Sequence, residues 1–330
     1  MLMIDYIARS GRQGHLSMQR MAWILGVGLL AAGCDEAATT TSASHDTVSS
    51  DALSSDASST TAGVTRGPQK LLLDGDPNGI WWSESRQTLY LADDNNNRIL
   101  TWQDGSGFGQ AFPLLAAPAS GSGLGGLVED WSGKLWVTRF GFGTDGAVLW
   151  LAGDGSTGKL ANLDVTKRRL GMAIDGAGNV YDSWFIKNGS ARIGTVAKLD
   201  PAGSETPILT SGLQKPVGLL VKGKYLYVDD QETNAVLRCA LPDCKQLENF
   251  GNVTTPDLMS DGPGDAVLVA SHEGVVVAVR PSVANQVVAS GLQEPHGVAY
   301  DAKHKRLFIA DHDPTSADGE TNYLHIVPVD

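Results

Sequence analysis

The sequence predicts an all-β fold, a six-bladed β-propeller, and three observations predict it. Gly is abundant, 39 of 330 residues, only 19% of residues are charged, and long amphipathic stretches are absent. That combination favours a turn-rich β protein over a helical one. One grammar then recurs six times: an x-Gly-apolar start, an acidic or polar turn, and an aromatic-rich second strand. Its anchors are Gly79, Gly126, Gly171, Gly218, Asp257 (in place of Gly) and Gly297, spaced 47, 45, 47, 39 and 40 residues apart. A period of 40–50 residues with several short strands per unit is the signature of propeller blades.

The repeats run in order along the chain. The first two read "PNGIWWSESRQTLYLADDNNNRILTW" and "GGLVEDWSGKLWVTRFGFGTDGAVLWL". The next two are "LGMAIDGAGNVYDSWF" and "VGLLVKGKYLYVDDQETNAVLRCAL". The last two are "PDLMSDGPGDAVLVASHEGVVVAV" and "HGVAYDAKHKRLFIADHDPTSADGETNYLHIV". Each gives three clear strands and a weaker fourth, such as "FPLLAA", "PILTSGL" or "NQVVASGL". The last repeat reaches Asp330 after three strands, and the missing fourth sits at the other end of the domain, in "PQKLLLDGD". The N-terminal strand is therefore expected to join the last blade, closing the ring so that no strand edge is left open. The propeller spans 67–330, about 44 residues per blade.

Ahead of it, "MQRMAWILGVGLLAAGC" has a basic residue, Arg20, an apolar run over Trp23–Leu30, and small residues leading to Cys34. The run is too short to span a bilayer and reads as a secretory signal, residues 1–33. The ending "LLAAGC" resembles a bacterial lipobox, with Ala31 where Leu is usual. It implies a lipidated Cys34 as the mature N-terminus, membrane attachment, and a cell-envelope location facing the periplasm or exterior. Residues 34–66 are Ser, Thr, Ala and Asp with almost nothing large and apolar. Such a stretch cannot offset its ordering entropy and is expected to be a disordered tether. The net charge of −12 becomes −14 once residues 1–33 are removed. An acidic chain repels phosphate backbones, so nucleic acid is not an expected partner. Cys239 and Cys244 flank a Pro-Asp turn in "RCALPDCKQ" and read as a hairpin disulfide, with no further Cys or His nearby to make a metal site.

The repeats resemble the gluconolactonase-like and NHL-type six-bladed propellers, on "PNGI…LYLADDNNNRI" and "PHGVAYD…LFIAD". Topology aims two residue sets at one funnel. The residue before each anchor gives Asn78, Gly125, Leu170, Val217, Pro256 and His296; the end of each second strand gives Asp93, Arg139, Trp184, Asp230, Ser271 and Asp311. The resemblance implies a divalent cation, calcium or zinc, held by the first set, and a metal-activated water for lactone or ester hydrolysis. The match is incomplete, because Leu170 and Val217 cannot coordinate and a hard cation wants at least six oxygens. A polar cluster remains where first and last blades meet: Asn78, Asp93, His296, Asp311, His312 and Asp313. Asn78, Asp93 and Asp311 are its metal candidates, and His296 and Asp311 its acid–base candidates. His296 also sits in a P-H-G triplet similar to those of virginiamycin lyase-like propellers. The alternative for Asp93, Asp230 and Asp311 is that they brace turns.

Other motifs fail on context. Asp74, Asp76, Asn78 and Gly79 spell the start of an EF-hand loop, but its twelfth position is Ser85 instead of Glu. "GSGLGG" precedes a strand and no helix, and "GDGSTGKL" has Leu160 where a P-loop needs Ser or Thr. Seven tryptophans lie between Trp81 and Trp184. They serve either blade packing or a flat ligand surface, with Trp184 in register with the funnel. The sequence thus leaves three functions: a small-molecule or protein binding module, a metal-dependent lactonase or esterase with a rearranged site, and a lyase using His296 as base.

Overall fold

The computed structural model describes residues 67–114, 123–315 and 321–329. The signal segment, the tether and Cys34 lie outside the described residues. Six antiparallel sheets form the structure. Their innermost strands are Pro77–Ser83, Leu124–Glu129, Arg168–Ile174, Pro216–Lys222, Pro256–Asp261 and Glu294–Asp301. Each packs against the inner strand of the next blade, and the sixth packs against the first. In blade 6 the outermost strand is Gln69–Leu73, which runs antiparallel to Thr321–Pro328 with Lys70 opposite His325. Blade 1 departs from four strands: its outer edge is split into Gly107–Phe108 and Phe112–Pro113, both paired to Arg98–Gln103.

Burial follows the alternation of each strand. Apolar residues of one blade meet those of the next, so there is one buried cluster at each of the six blade junctions. The junction of blades 6 and 1 holds Trp82 stacked on Phe308, with ring centroids 5.0 Å apart, and Trp102 edge-on at 5.3 Å. Phe308 is fully buried, and a side chain of that size contributes about 2–3 kcal/mol by leaving water. Most of the tryptophans serve this packing; Trp131 is the exposed exception. Cys239 and Cys244 are bonded to each other across the turn after the third strand of blade 4.

The anchor glycines are explained at the axis, where neighbouring inner strands approach too closely for a side chain. A Cβ on Gly79 would lie 2.2 Å from Gly125 O, and one on Gly297 would lie 2.4 Å from Asn78 O. This row forms a waist. Beyond it lies a cavity of about 210 Å³, lined by residues such as Trp81, Leu127, Met172, Leu219, Met259 and Val298.

Candidate functional site

The register at the entry of each inner strand decides which side chains face the funnel. Pro77 pairs with Asp93, Leu124 with Arg139, Arg169 with Trp184, Pro216 with Asp230, Pro256 with Ser271 and Pro295 with Asp311. A bulge follows at once in every blade, before Ile80, Leu127, Met172, Leu219, Met259 and Gly297. Bulges re-aim side chains, and plain alternation along the strand does not foresee them. Blade 5 is corrected by this register. Counted from its paired proline, Leu258 takes the anchor position and Asp257 the funnel position, so Asp257 replaces Pro256 in the first set. A one-residue slip moves a strand's side chains to the opposite face.

The second set is placed differently from the sequence expectation. Asp93, Arg139, Trp184, Asp230, Ser271 and Asp311 are all buried. Asp93 accepts the Asp76 amide at 2.9 Å and pairs with Arg98 at 2.5 Å. Asp230 accepts the amides of Gln214 at 2.5 Å and Lys215 at 3.3 Å. Asp311 accepts those of Gln293 at 2.9 Å and Glu294 at 3.0 Å, and its other oxygen meets His325 at 3.0 Å. Ser271 donates to Thr254 O at 2.6 Å. Arg139 is held by Asp145 at 3.1 Å and Asn97 at 3.3 Å, and Trp184 packs beneath Lys167. These residues brace the turns that deliver the funnel side chains.

The residue that follows in each blade stands at the funnel end: Asp94, Phe140, Phe185, Gln231, His272 and His312, of which only Phe185 is fully buried. Opposite them stands an entry row of Asp76, Gly123, Arg168, Lys215, Thr255 and Glu294. The rows are joined by main-chain bonds such as Gln231 N to Lys215 O at 3.0 Å and His272 N to Thr255 O at 3.2 Å. Glu294 pairs with His312 and Arg168 with Phe185. The mouth is therefore divided. Blades 5, 6 and 1 bring acids and histidines, blade 2 brings aromatic rings, and blades 3 and 4 bring cations.

On the first of these sides Asp257 is the centre. Its Oδ2 lies 2.7 Å from His272 Nε2 and 2.7 Å from His296 Nδ1. Glu294 Oε1 stands 3.3 Å from His272 Nδ1 and 4.0 Å from His296 Nε2. The His296 ring lies over that of His312 at 4.0 Å, and His312 Nε2 donates to Pro77 O at 2.6 Å. Burial opposes charge on both Asp257 and His296, but their mutual attraction prevails: the Asp257 carboxyl is held well below its usual range and the His296 imidazolium is raised. Asn78 donates to Leu124 O at 2.8 Å at the neighbouring position of the same row. Asp229, just beneath, is fully buried; burial, and to a lesser degree the charge on Asp257, raise its pKa well above the usual value.

Ligand atoms of Asp257, His272 and His296 all lie within 4.8 Å of one another. Two imidazole nitrogens and a carboxylate suit zinc or a similar transition ion. They do not suit calcium, which takes six or more oxygens. Asp93 and Asp311, proposed as ligands from the sequence, have their carboxylates engaged by the bracing contacts above. His296 does stand at the cluster. Asp257, His272 and Glu294 are its unforeseen members, and the signal that finds them is the proline register of "DPNG", "KPVG", "TPDL" and "EPHG".

The chain is a six-bladed β-propeller. The sequence matches no family profile, and no curated protein is similar to it. Solved structures are similar in fold. A gluconolactonase from Xanthomonas campestris aligns with a TM-score of 0.62 at 18% identity, over 78% of this chain and 90% of its own. Virginiamycin B lyase from Staphylococcus aureus aligns at 0.57 and 14%, over 79% and 99%. A luciferin-regenerating enzyme aligns at 0.63 and 14%, over 80% and 96%.

Proposed function

We propose that this chain is a lipid-anchored, extracytoplasmic propeller that binds a small molecule in its funnel and acts on it as a metal-dependent hydrolase of an ester or lactone. The observation that carries the reading is the convergence of Asp257, His272 and His296 at the funnel mouth. A divalent ion bound there would polarise a carbonyl and lower the pKa of a bound water. The chain's own groups have separate roles. Asp257 fixes both imidazoles, and Glu294 orients His272 through its other nitrogen. Asp311 holds the Gln293 and Glu294 amides and so sets where Glu294 stands. The metal-holding set is transferred from Asn78, Asp93 and Asp311 to the Asp257 cluster, and zinc takes precedence over calcium. The similar gluconolactonase fold supports the substrate class, and Cys34 supplies the anchor.

A lyase reading uses the same cluster, with a histidine taking a proton from carbon. It is favoured by the histidine-rich mouth and by the similar fold of virginiamycin B lyase. The product separates the two. Hydrolysis of a lactone panel by zinc-loaded protein adds the mass of one water, whereas elimination adds none. Chelator should abolish turnover in either case. Turnover that persists with chelator, or in His272→Ala, would overturn the metal-dependent reading.

A further inference from the structure

The cationic side of the funnel is unexplained by metal-dependent chemistry. Nine arginines fall among the described residues, and eight of them have a carboxylate partner within 4.0 Å. The Arg168 side chain has no hydrogen bond or ion pair with any described residue. Its guanidinium instead lies 5.2 Å from the Phe140 ring centroid and 5.9 Å from that of Phe185. It also passes over Gly143, where an added Cβ would come within 3.3 Å of its Nε. Lys215 occupies the same row of the adjacent blade. Its ammonium donates to the side-chain carbonyl of Gln231 and pairs with no carboxylate. Burial, and then the charge of Arg192, disfavour the Arg168 cation. Asp257, Glu232 and Asp229 act on the Lys215 ammonium at longer range, but Arg168 has no carboxylate partner, and a half-buried cation without one is an electrostatic cost unless an anion joins it.

We infer that Arg168 and Lys215, with the ring of Phe140, form a carboxylate-binding wall, so that the funnel's ligand is a small amphipathic acid. Its carboxylate meets the Arg168 fork, which matches two oxygens side by side. Its apolar body lies on the Phe140 ring, and Phe142, 5.1 Å from Phe140 and 47% exposed, extends that surface outward. The far end of the ligand then faces the histidine side. The inference names the substrate class for the reaction proposed above and rests on the same funnel, but not on the metal.

The test is calorimetric titration of the full chain with phenylacetate, phenylacetamide and benzylphosphonate, in the presence of chelator. Phenylacetate is expected to bind at least tenfold more tightly than the neutral amide. Arg168→Met should remove that preference while leaving the weak binding of phenylacetamide unchanged, which a misfolded variant could not do. Lys215→Met should reduce the preference by a smaller factor. Equal binding of acid and amide, or a preference that survives Arg168→Met, would overturn the inference. So would tighter binding of the phosphonate, which would assign a phosphate site, or loss of phenylacetate binding on chelation, which would put the carboxylate on an ion. A chain that binds phenylacetate through Arg168 yet shows no metal dependence would fail the hydrolase reading and keep this one.

Discussion

Asp229→Asn should stabilise the protein, and by an amount that grows with pH. Asp229 is fully buried; its Oδ1 accepts the Gly218 amide at 2.9 Å, and its Oδ2 has no hydrogen-bond partner. An added Cβ on Gly218 would lie 2.4 Å from that Oδ2 and 2.8 Å from Asp257 O, so the acid is packed against the chain that carries the site. Burial is the main cause of its raised pKa, with the charges of Asp257 and Asp230 adding to it. The folded state therefore keeps a proton that the unfolded chain releases above about pH 4. For such a raised carboxyl, stability is fully present below the unfolded pKa and is lost as pH rises toward the folded pKa. The slope for one proton is about 1.4 kcal/mol per pH unit. Asparagine keeps the Oδ1 acceptor and cannot ionise. The variant should match the wild type near pH 3.5 and gain on it by that slope above pH 4, until the buried acid ionises and the gain levels off. Urea unfolding of both proteins, in steps of half a pH unit with chelator present, measures the difference. A difference that does not change with pH, or a variant less stable at neutral pH, would refute the reasoning.

Three further outcomes follow from the same structure. Asp311→Ala leaves the Gln293 and Glu294 amides without their acceptor and should cost about 2–4 kcal/mol in denaturant unfolding, with weakened zinc binding because Glu294 is no longer held. Gly79→Ala pushes a methyl group against Gly125 O and should lower the melting temperature by several degrees, since overpacking costs about 1–3 kcal/mol. Cys34→Ser should move the protein from the membrane fraction to the soluble fraction and abolish labelling by fatty acid.

The blades were legible because a propeller repeats its hydrophobic pattern and its glycines. "NGI", "GGL", "LGM", "VGL" and "HGV" each mark a strand that passes too close to its neighbour for a side chain. Much of the site was less legible, for two physical reasons. In blade 5, Leu258 stands where the other blades have glycine, and glycine spacing placed Asp257 one residue out of register. The shared prolines Pro77, Pro216, Pro256 and Pro295 keep the true count. The bulge at each strand entry then turned Asp93, Arg139, Trp184, Asp230, Ser271 and Asp311 into the packing between strands. It left His272 and His312, one residue further on, beside the funnel. His296 was recognised from its position before Gly297, but its acid partner came from another blade, 39 residues earlier. Pairings at that separation are set by ring closure and cannot be read from local pattern.

Metal content tests the central claim most directly. The protein is purified without added metal, exchanged into zinc, freed of excess ion and subjected to elemental analysis beside Asp257→Ala. One zinc per wild-type chain and none in the variant is the predicted result. A wild-type chain that retains no ion, or a variant that retains as much as the wild type, would contradict the assignment of Asp257, His272 and His296 as the working centre of the funnel.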